Sequence, residues 1–395
     1  MTHVPGFRFS AVAAGIKKKE GALDLALIVA DEPVSAAGVF TRNVVRAAPV
    51  DVAQKRIASG QVRAVLVNSG NANACTGEPG LAATLDTTAA VARALGTTPE
   101  LVIPASTGVI GAVLPADKVL TAVPALVESL SAEGADRFAE GILTTDRWKK
   151  VATASLEQNG ARATFLGMAK GAGMIHPDLG PQPPHATLLA FVVTDATATP
   201  ELLQAALERA ADLTFNACSV DGDTSTNDTL VVLASGKSPV RPSLAELTDK
   251  LIEVCRPLAR ELVRDGEGAE HAVDIVVRGL ASEADAKQVA KTVAASPLVK
   301  TALYGKDANW GRLLAAAGRA GVYFTPSRAT ISIGGHVICE RGLPTGKEAE
   351  LRAGEVMKQN TYIIELELGD GPGTFTYVTC DFGHGYIDVN AGYRS

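Results

Sequence analysis

Four prolines crowd one short stretch, at positions 177, 181, 183 and 184, and neither a helix interior nor a central strand can run through them. The chain must therefore leave one ordered block before Pro177 and enter another after His185. A glycine-rich loop precedes the break, Lys170-Gly171-Ala172-Gly173-Met174-Ile175-His176-Pro177, and the apolar, strand-like run Leu188 to Val193 follows it. The stretch from Pro177 to His185 reads as an exposed connector. Its end divides the sequence into an N-terminal segment, 1–186, and a C-terminal segment, 187–395.

At that junction stands the dipeptide Ala186-Thr187. A threonine between a tight loop and a buried strand is well placed to attack the carbonyl before it, and Ala186 leaves that carbonyl sterically open. If the bond breaks, Thr187 becomes a new N-terminus, whose amine, with a reference pKa of about 7.7–8, can take the proton from its own hydroxyl. Taken alone, Thr187 reads more simply as a β-branched residue starting a strand.

The rest of the chain is that of a folded enzyme-sized protein. Its 395 residues can bury a substantial core and suggest two or three domains or one two-lobed unit. With 47% hydrophobic and 20% charged residues it is globular and not disordered. A formal net charge of −6 argues against a nucleic-acid partner. Lys17-Lys18-Lys19 is the only basic run and reads as a solvated turn before the strand-like Leu23 to Ala30. No apolar stretch reaches the roughly 18 residues of a membrane span, and the lysines follow the mildly apolar start, the reverse of a secretory signal. A cytoplasmic location is expected. The cysteines Cys75, Cys218, Cys255, Cys339 and Cys380 are widely spaced and read as buried reduced thiols.

Strand-like runs recur at 64–67, 188–193, 230–233, 273–277, 329–333, 362–368 and 374–379. Helical patterns lie between several of them. Ser243 and Glu246 form a capping box before Leu244, Leu247, Leu251, Val254, Leu258 and Leu262, with Pro257 expected to kink that helix. Thr199-Pro200 caps a helix to about Ala211, and Ser282 to Asp285 opens another through Ala294. The mixture predicts an α/β or α+β protein with more than one sheet.

Five segments then carry a resemblance. They are 68–77 (Asn68 to Gly77), Ser106-Thr107-Gly108-Val109-Ile110-Gly111, the loop and dipeptide already described, 221–229 (Asp221 to Thr229), and 305–312 (Gly305 to Arg312). In this order the chain resembles the ornithine acetyltransferases of arginine biosynthesis, also called bifunctional glutamate N-acetyltransferases. The resemblance implies a two-lobed α/β fold, self-cleaved between Ala186 and Thr187 and assembled as an α2β2 heterotetramer. It implies transfer of acetyl from N2-acetyl-L-ornithine to L-glutamate through an ester on Thr187, a ping-pong scheme, with no cofactor. Acetyl-CoA is a further possible donor. By the same resemblance the Thr107 hydroxyl and Gly108 amide form the oxyanion hole, and Thr144, Lys170, Thr187, Glu267, Asn390 and Ser395 contact substrate.

Two rivals use the same residues differently. One is an N-terminal-nucleophile amidohydrolase or aminopeptidase with water as acceptor; the other is a non-catalytic amino-acid-binding protein. Nucleotide sites are disfavoured, because neither a P-loop nor a Gly-x-Gly-x-x-Gly fingerprint after a strand is present. Calcium is excluded at 221–232, where Thr226 and Val232 replace the required Gly and Glu. The histidines show no metal spacing. In one place the chain departs from the family: eight residues, Asp178 to His185, stand where two are usual between the loop proline and Ala-Thr. Scission is still expected, because the dipeptide and the strand behind it are intact.

Overall fold

A computed structural model describes residues 2–180 and 188–392 and has a mixed α/β fold. Ala186, Thr187 and Ser395 lie outside the described residues. The chain forms two compact units, one running to Asn216 and resuming over Thr224–Leu262, the other made of Ala217–Asp223 and the residues from Val263 onward. Along the first part of the chain the strands are β1 (Phe7–Val12), β2 (Leu25–Phe40), β3 (Gln61–Asn71), β4 (Val102–Val109), β5 (Lys150–Gln158), β6 (Ala161–Lys170), β7 (Leu189–Thr194), β8 (Cys218–Ser219) and β9 (Thr229–Ala234).

In the first unit the strand order is β4-β3-β2-β9-β7-β6-β5, with β1 also on β2. Strand β2 sets the geometry. Its first half, Leu25 to Ala30, pairs with β1 and β3, and its second half, Ser35 to Phe40, pairs with β9. Between them Asp31, Glu32 and Pro33 are exposed, and the register with β3 slips between Val29 and Val34. The sequence reading ended this strand at Ala30, whereas it continues through Asp31-Glu32-Pro33 to Phe40. A bend there folds the sheet over itself. One core cluster accordingly contains Ile28, Val67 and Ala105 from one side and Met168, Phe191 and Val231 from the other. The opposite face of β2, with Leu25, Leu27 and Val29, packs in a second cluster with Ala83 and Val91 of the helix Gly77–Leu95 and Val119 and Val123 of the helix Ala116–Glu128. Burial on both faces explains the unbroken apolar run.

Strands β5 and β6 form a hairpin across Asn159-Gly160, both with positive φ, 52° and 79°. That dipeptide is a strong type I′ turn signal. The reading of the sequence did not use it and found neither strand. Over β6 runs the helix Leu244–Arg264, close enough that a Cβ on Gly167 would meet the Val254 side chain at 2.3 Å. Its capping box forms as expected, with Ser243 N donating to Glu246 Oε2 at 2.8 Å and Glu246 N to Ser243 Oγ at 3.3 Å. The helix continues through Pro257.

The expected exposed connector is packed over its described part. Leu179 is only 5% exposed, because Asn216 serves its backbone as a strand would: Leu179 N donates to Asn216 Oδ1 at 2.5 Å and Asn216 Nδ2 to Leu179 O at 2.8 Å. Two further readings change. Cys75 is exposed, although the other cysteines are buried. Lys17 is half-buried, not a solvated turn residue.

The second unit has its own sheet, ordered β13 (Leu343–Pro344), β12 (His336–Glu340), β11 (Thr330–Ile333), β14 (Thr361–Glu367), β10 (Ala272–Gly279), β15 (Gly371–Cys380) and β8. The helix Glu283–Ala294 lies on β10 and β15, with Ser282 Oγ capping Asp285 N at 3.1 Å. No helix among the described residues is long and apolar enough to cross a membrane.

Candidate active site

Bending the first sheet brings the ends of β4 and β6 together. Lys170, the last residue of β6, is 3% exposed, and its ammonium donates to Thr107 Oγ1 at 3.1 Å and Thr144 Oγ1 at 2.8 Å. Three of the residues singled out from the sequence thus meet at one point. Gly108 follows directly. Ser106, Thr107 and Gly108 belong to strand β4, which runs to Val109. Gly108 has φ +132°, and a Cβ there would stand 2.3 Å from the carbonyl carbon of Gly70, its register partner on β3. Only glycine permits that approach.

Asp146 is the anion that organises the cluster, and the sequence reading passed over it. Its side chain is fully buried, ion-paired to Lys150 at 2.7 Å and facing Lys170 at 3.8 Å. Backbone amides complete it, with Gly171 N donating at 2.7 Å and Thr144 N at 3.0 Å. Burial alone raises a carboxylate's pKa, yet Lys170, Lys150 and the hydrogen bonds outweigh it and hold Asp146 at about 2. Asp146 therefore stays ionised and fixes both the loop carrying Thr144 and the lysine.

The segment 224–229 braces strand β4 from behind. Asn227 Nδ2 donates to Ala72 O at 2.6 Å and Ser106 O at 2.9 Å, and Thr226 Oγ1 donates to Asn227 Oδ1 at 2.5 Å. Ser106 Oγ in turn donates to Asn68 Oδ1 at 2.5 Å. Beside Asn227, Asp228 is wholly buried, and neither carboxyl oxygen has a hydrogen-bond partner among the described residues. Burial pushes its pKa well above the ordinary range; the charge of Lys170 and nearby amides, of which none reaches bonding geometry, counter this only in part. Asp228 stands at the entrance to β9, where Thr229 N donates to Leu188 O at 3.0 Å.

In the second unit Asn390 and Glu267 meet. Asn390 Nδ2 donates to Glu267 Oε2 at 2.9 Å. The glycines flanking Glu267 make this possible, since a Cβ on Gly268 would lie 2.1 Å from Tyr386 N in the helix His384–Gly392. Asp381 Oδ1 anchors the same turn by accepting from Glu270 N at 2.9 Å and His271 N at 2.8 Å.

Comparisons with known proteins agree with one another. The ArgJ family model matches residues 8–395. The arginine biosynthesis bifunctional protein ArgJ of Geobacter sulfurreducens is 44% identical over 399 residues, covering 100% of both chains. Its counterpart from Syntrophotalea carbinolica is 45% identical over 401 residues, again covering 100% of both. Among solved structures, the Mycobacterium tuberculosis ornithine acetyltransferase complexed with ornithine is 45% identical, covering 45% of this chain and 94% of that one, with a TM-score of 0.41. Matched across nearly its whole length by the family model and end to end by curated relatives, the chain belongs to the ArgJ family.

Proposed function

We propose that this chain transfers the acetyl group of N2-acetyl-L-ornithine to L-glutamate, releasing L-ornithine and N-acetyl-L-glutamate. Scission between Ala186 and Thr187 yields chains 1–186 and 187–395, and the freed Thr187 amine deprotonates the Thr187 hydroxyl. That oxygen attacks the acetyl carbonyl, ornithine leaves, and the ester passes its acetyl to the glutamate amine. Thr107 and Gly108 stabilise the oxyanion of each tetrahedral intermediate. Thr144, Lys170, Glu267, Asn390 and Ser395 hold the amino-acid substrates.

One observation carries this reading. Thr107 Oγ1 accepts from Lys170, which turns one of its two lone pairs to the lysine, and its own proton has no acceptor among the described residues. A hydroxyl held that way is a preorganised donor, worth about 3 kcal/mol of transition-state stabilisation. The reaction needs no cofactor, and acetyl-CoA serves as an alternative donor to glutamate. An α2β2 assembly and a cytoplasmic location complete the proposal.

Intact-mass analysis of the purified protein should give two fragments meeting at Ala186/Thr187. Acetylornithine with glutamate should then yield N-acetylglutamate, and Thr187→Ala should abolish both scission and transfer. Acetate released at the same rate without glutamate would make the chain a hydrolase. Omitting acetylornithine and supplying acetyl-CoA tests the second donor.

A further inference from the structure

Lys17 is built into the floor of the oxyanion strand. The buried carboxylate of Asp24 gathers the loop before it, accepting from Ala14 N at 2.6 Å, Ile16 N at 2.6 Å and Lys17 N at 2.9 Å. That anchoring lays Lys17 across Gly70, where a Cβ would stand 2.9 Å from Lys17 Cγ and 3.4 Å from its backbone nitrogen. Gly70 has φ +102° and is the residue against which Gly108 packs. Lys17, Gly70 and Gly108 are therefore stacked without an intervening side chain. Thr107, next to Gly108, receives Lys170 on its hydroxyl.

The two lysines differ in what they have left to give. Lys170 is committed to Thr107, Thr144 and Asp146. Lys17 donates to Leu23 O at 2.7 Å and makes no ion pair among the described residues, since the oxygens of Asp24 are taken by amides. Its side chain is only half-buried. Burial pulls its pKa below the ordinary value; Lys170 pulls the same way, while Asp24, Asp146 and Glu140 oppose them. An ammonium held in place by one carbonyl, with no ion pair among the described residues, has protons left for an incoming anion.

We propose that Lys17 receives the α-carboxylate common to both amino-acid substrates, beside the Thr107–Gly108 segment. This rests on the acetyl-transfer reading above, in which acetylornithine and glutamate occupy one site in turn and each presents that group.

Lys17→Gln and Lys17→Arg test it, with thermal melting as the check on folding and wild-type protein assayed alongside. In Lys17→Gln, KM for both substrates should rise about tenfold or more, as loss of a charge-assisted hydrogen bond requires, with kcat within about threefold. Lys17→Arg, which keeps the charge, should recover most of the loss. Unchanged KM values, a rise for one substrate alone, or a fall in kcat at constant KM would overturn the assignment. A wild-type protein without acetyl transfer would instead overturn the underlying reading, so the two failures are distinct.

Discussion

Lys170 Nζ lies 3.1 Å from Thr107 Oγ1, although their strands are five places apart in the sheet order. At about 4.8 Å per strand, a flat sheet would hold the two strands some 24 Å apart. The bend in β2 removes that distance. Because Thr107 accepts from the lysine, Thr107→Ala should lower kcat about 10²–10³-fold with little change in KM, the loss expected for one oxyanion donor. Steady-state kinetics on matured protein check this; a change confined to KM would mean that Thr107 binds substrate and does not stabilise the intermediate.

Gly108 is constrained more tightly than any hydrogen bond requires. Its would-be Cβ meets the carbonyl carbon of Gly70 at 2.3 Å and Asn71 N at 2.5 Å, and both are backbone atoms that cannot swing away. Gly108→Ala should therefore part β3 from β4, costing roughly 2 kcal/mol or more of stability and nearly all activity. Urea unfolding measures the first and initial rates the second. Wild-type stability in this variant would show that the two strands can separate freely here.

Local chemistry was the legible part of this molecule. Ser243 with Glu246, Ser282 with Asp285, and Thr199 before Pro200 each cap a helix where the sequence put one, because a cap is decided within four residues. The meeting of Lys170 and Thr107 depends on Asp31-Glu32-Pro33 bending a strand instead of ending it, a choice settled by pairing partners distant in sequence. Asp146 lay hidden for a related reason. It sits in Thr144-Thr145-Asp146-Arg147-Trp148-Lys149-Lys150, which reads as surface, and only the folded sheet shows its side chain sealed between Lys150 and Lys170. Lys17 was misjudged likewise, since its burial comes from Gly70 and Asp24 and not from its basic neighbours.

Removing the charge of Asp146 takes a buried carboxylate away from both Lys150 and Lys170. Asp146→Asn should cost about 3–5 kcal/mol, the range for breaking one partner out of a buried pair. The pH dependence has a definite sign. Folding lowers this pKa from 3.8 to about 2, so the stabilisation is complete above the unfolded value and is lost as pH falls through the folded one. Wild-type stability should thus drop between about pH 4 and 2 more steeply than that of the variant. Parallel acid limbs, followed by urea unfolding at several pH values, would remove Asp146 from this role.

Asp228 has the opposite sign. Burial pushes its carboxyl, which has no hydrogen-bond partner among the described residues, well above the ordinary range, so the folded protein gives up this proton at a higher pH than the unfolded chain does. The folded state is favoured below the unfolded carboxylate value and loses that advantage as pH rises toward the folded one, by about 1.4 kcal/mol for each unit of the shift once pH exceeds both. Asp228→Asn keeps the shape and carries no titrating proton. It should match the wild type near pH 4 and become progressively more stable than the wild type as pH rises toward neutrality. Urea unfolding of both proteins across this range is the measurement, and a constant difference at every pH would mean that Asp228 is ionised in the fold and paired with a cation.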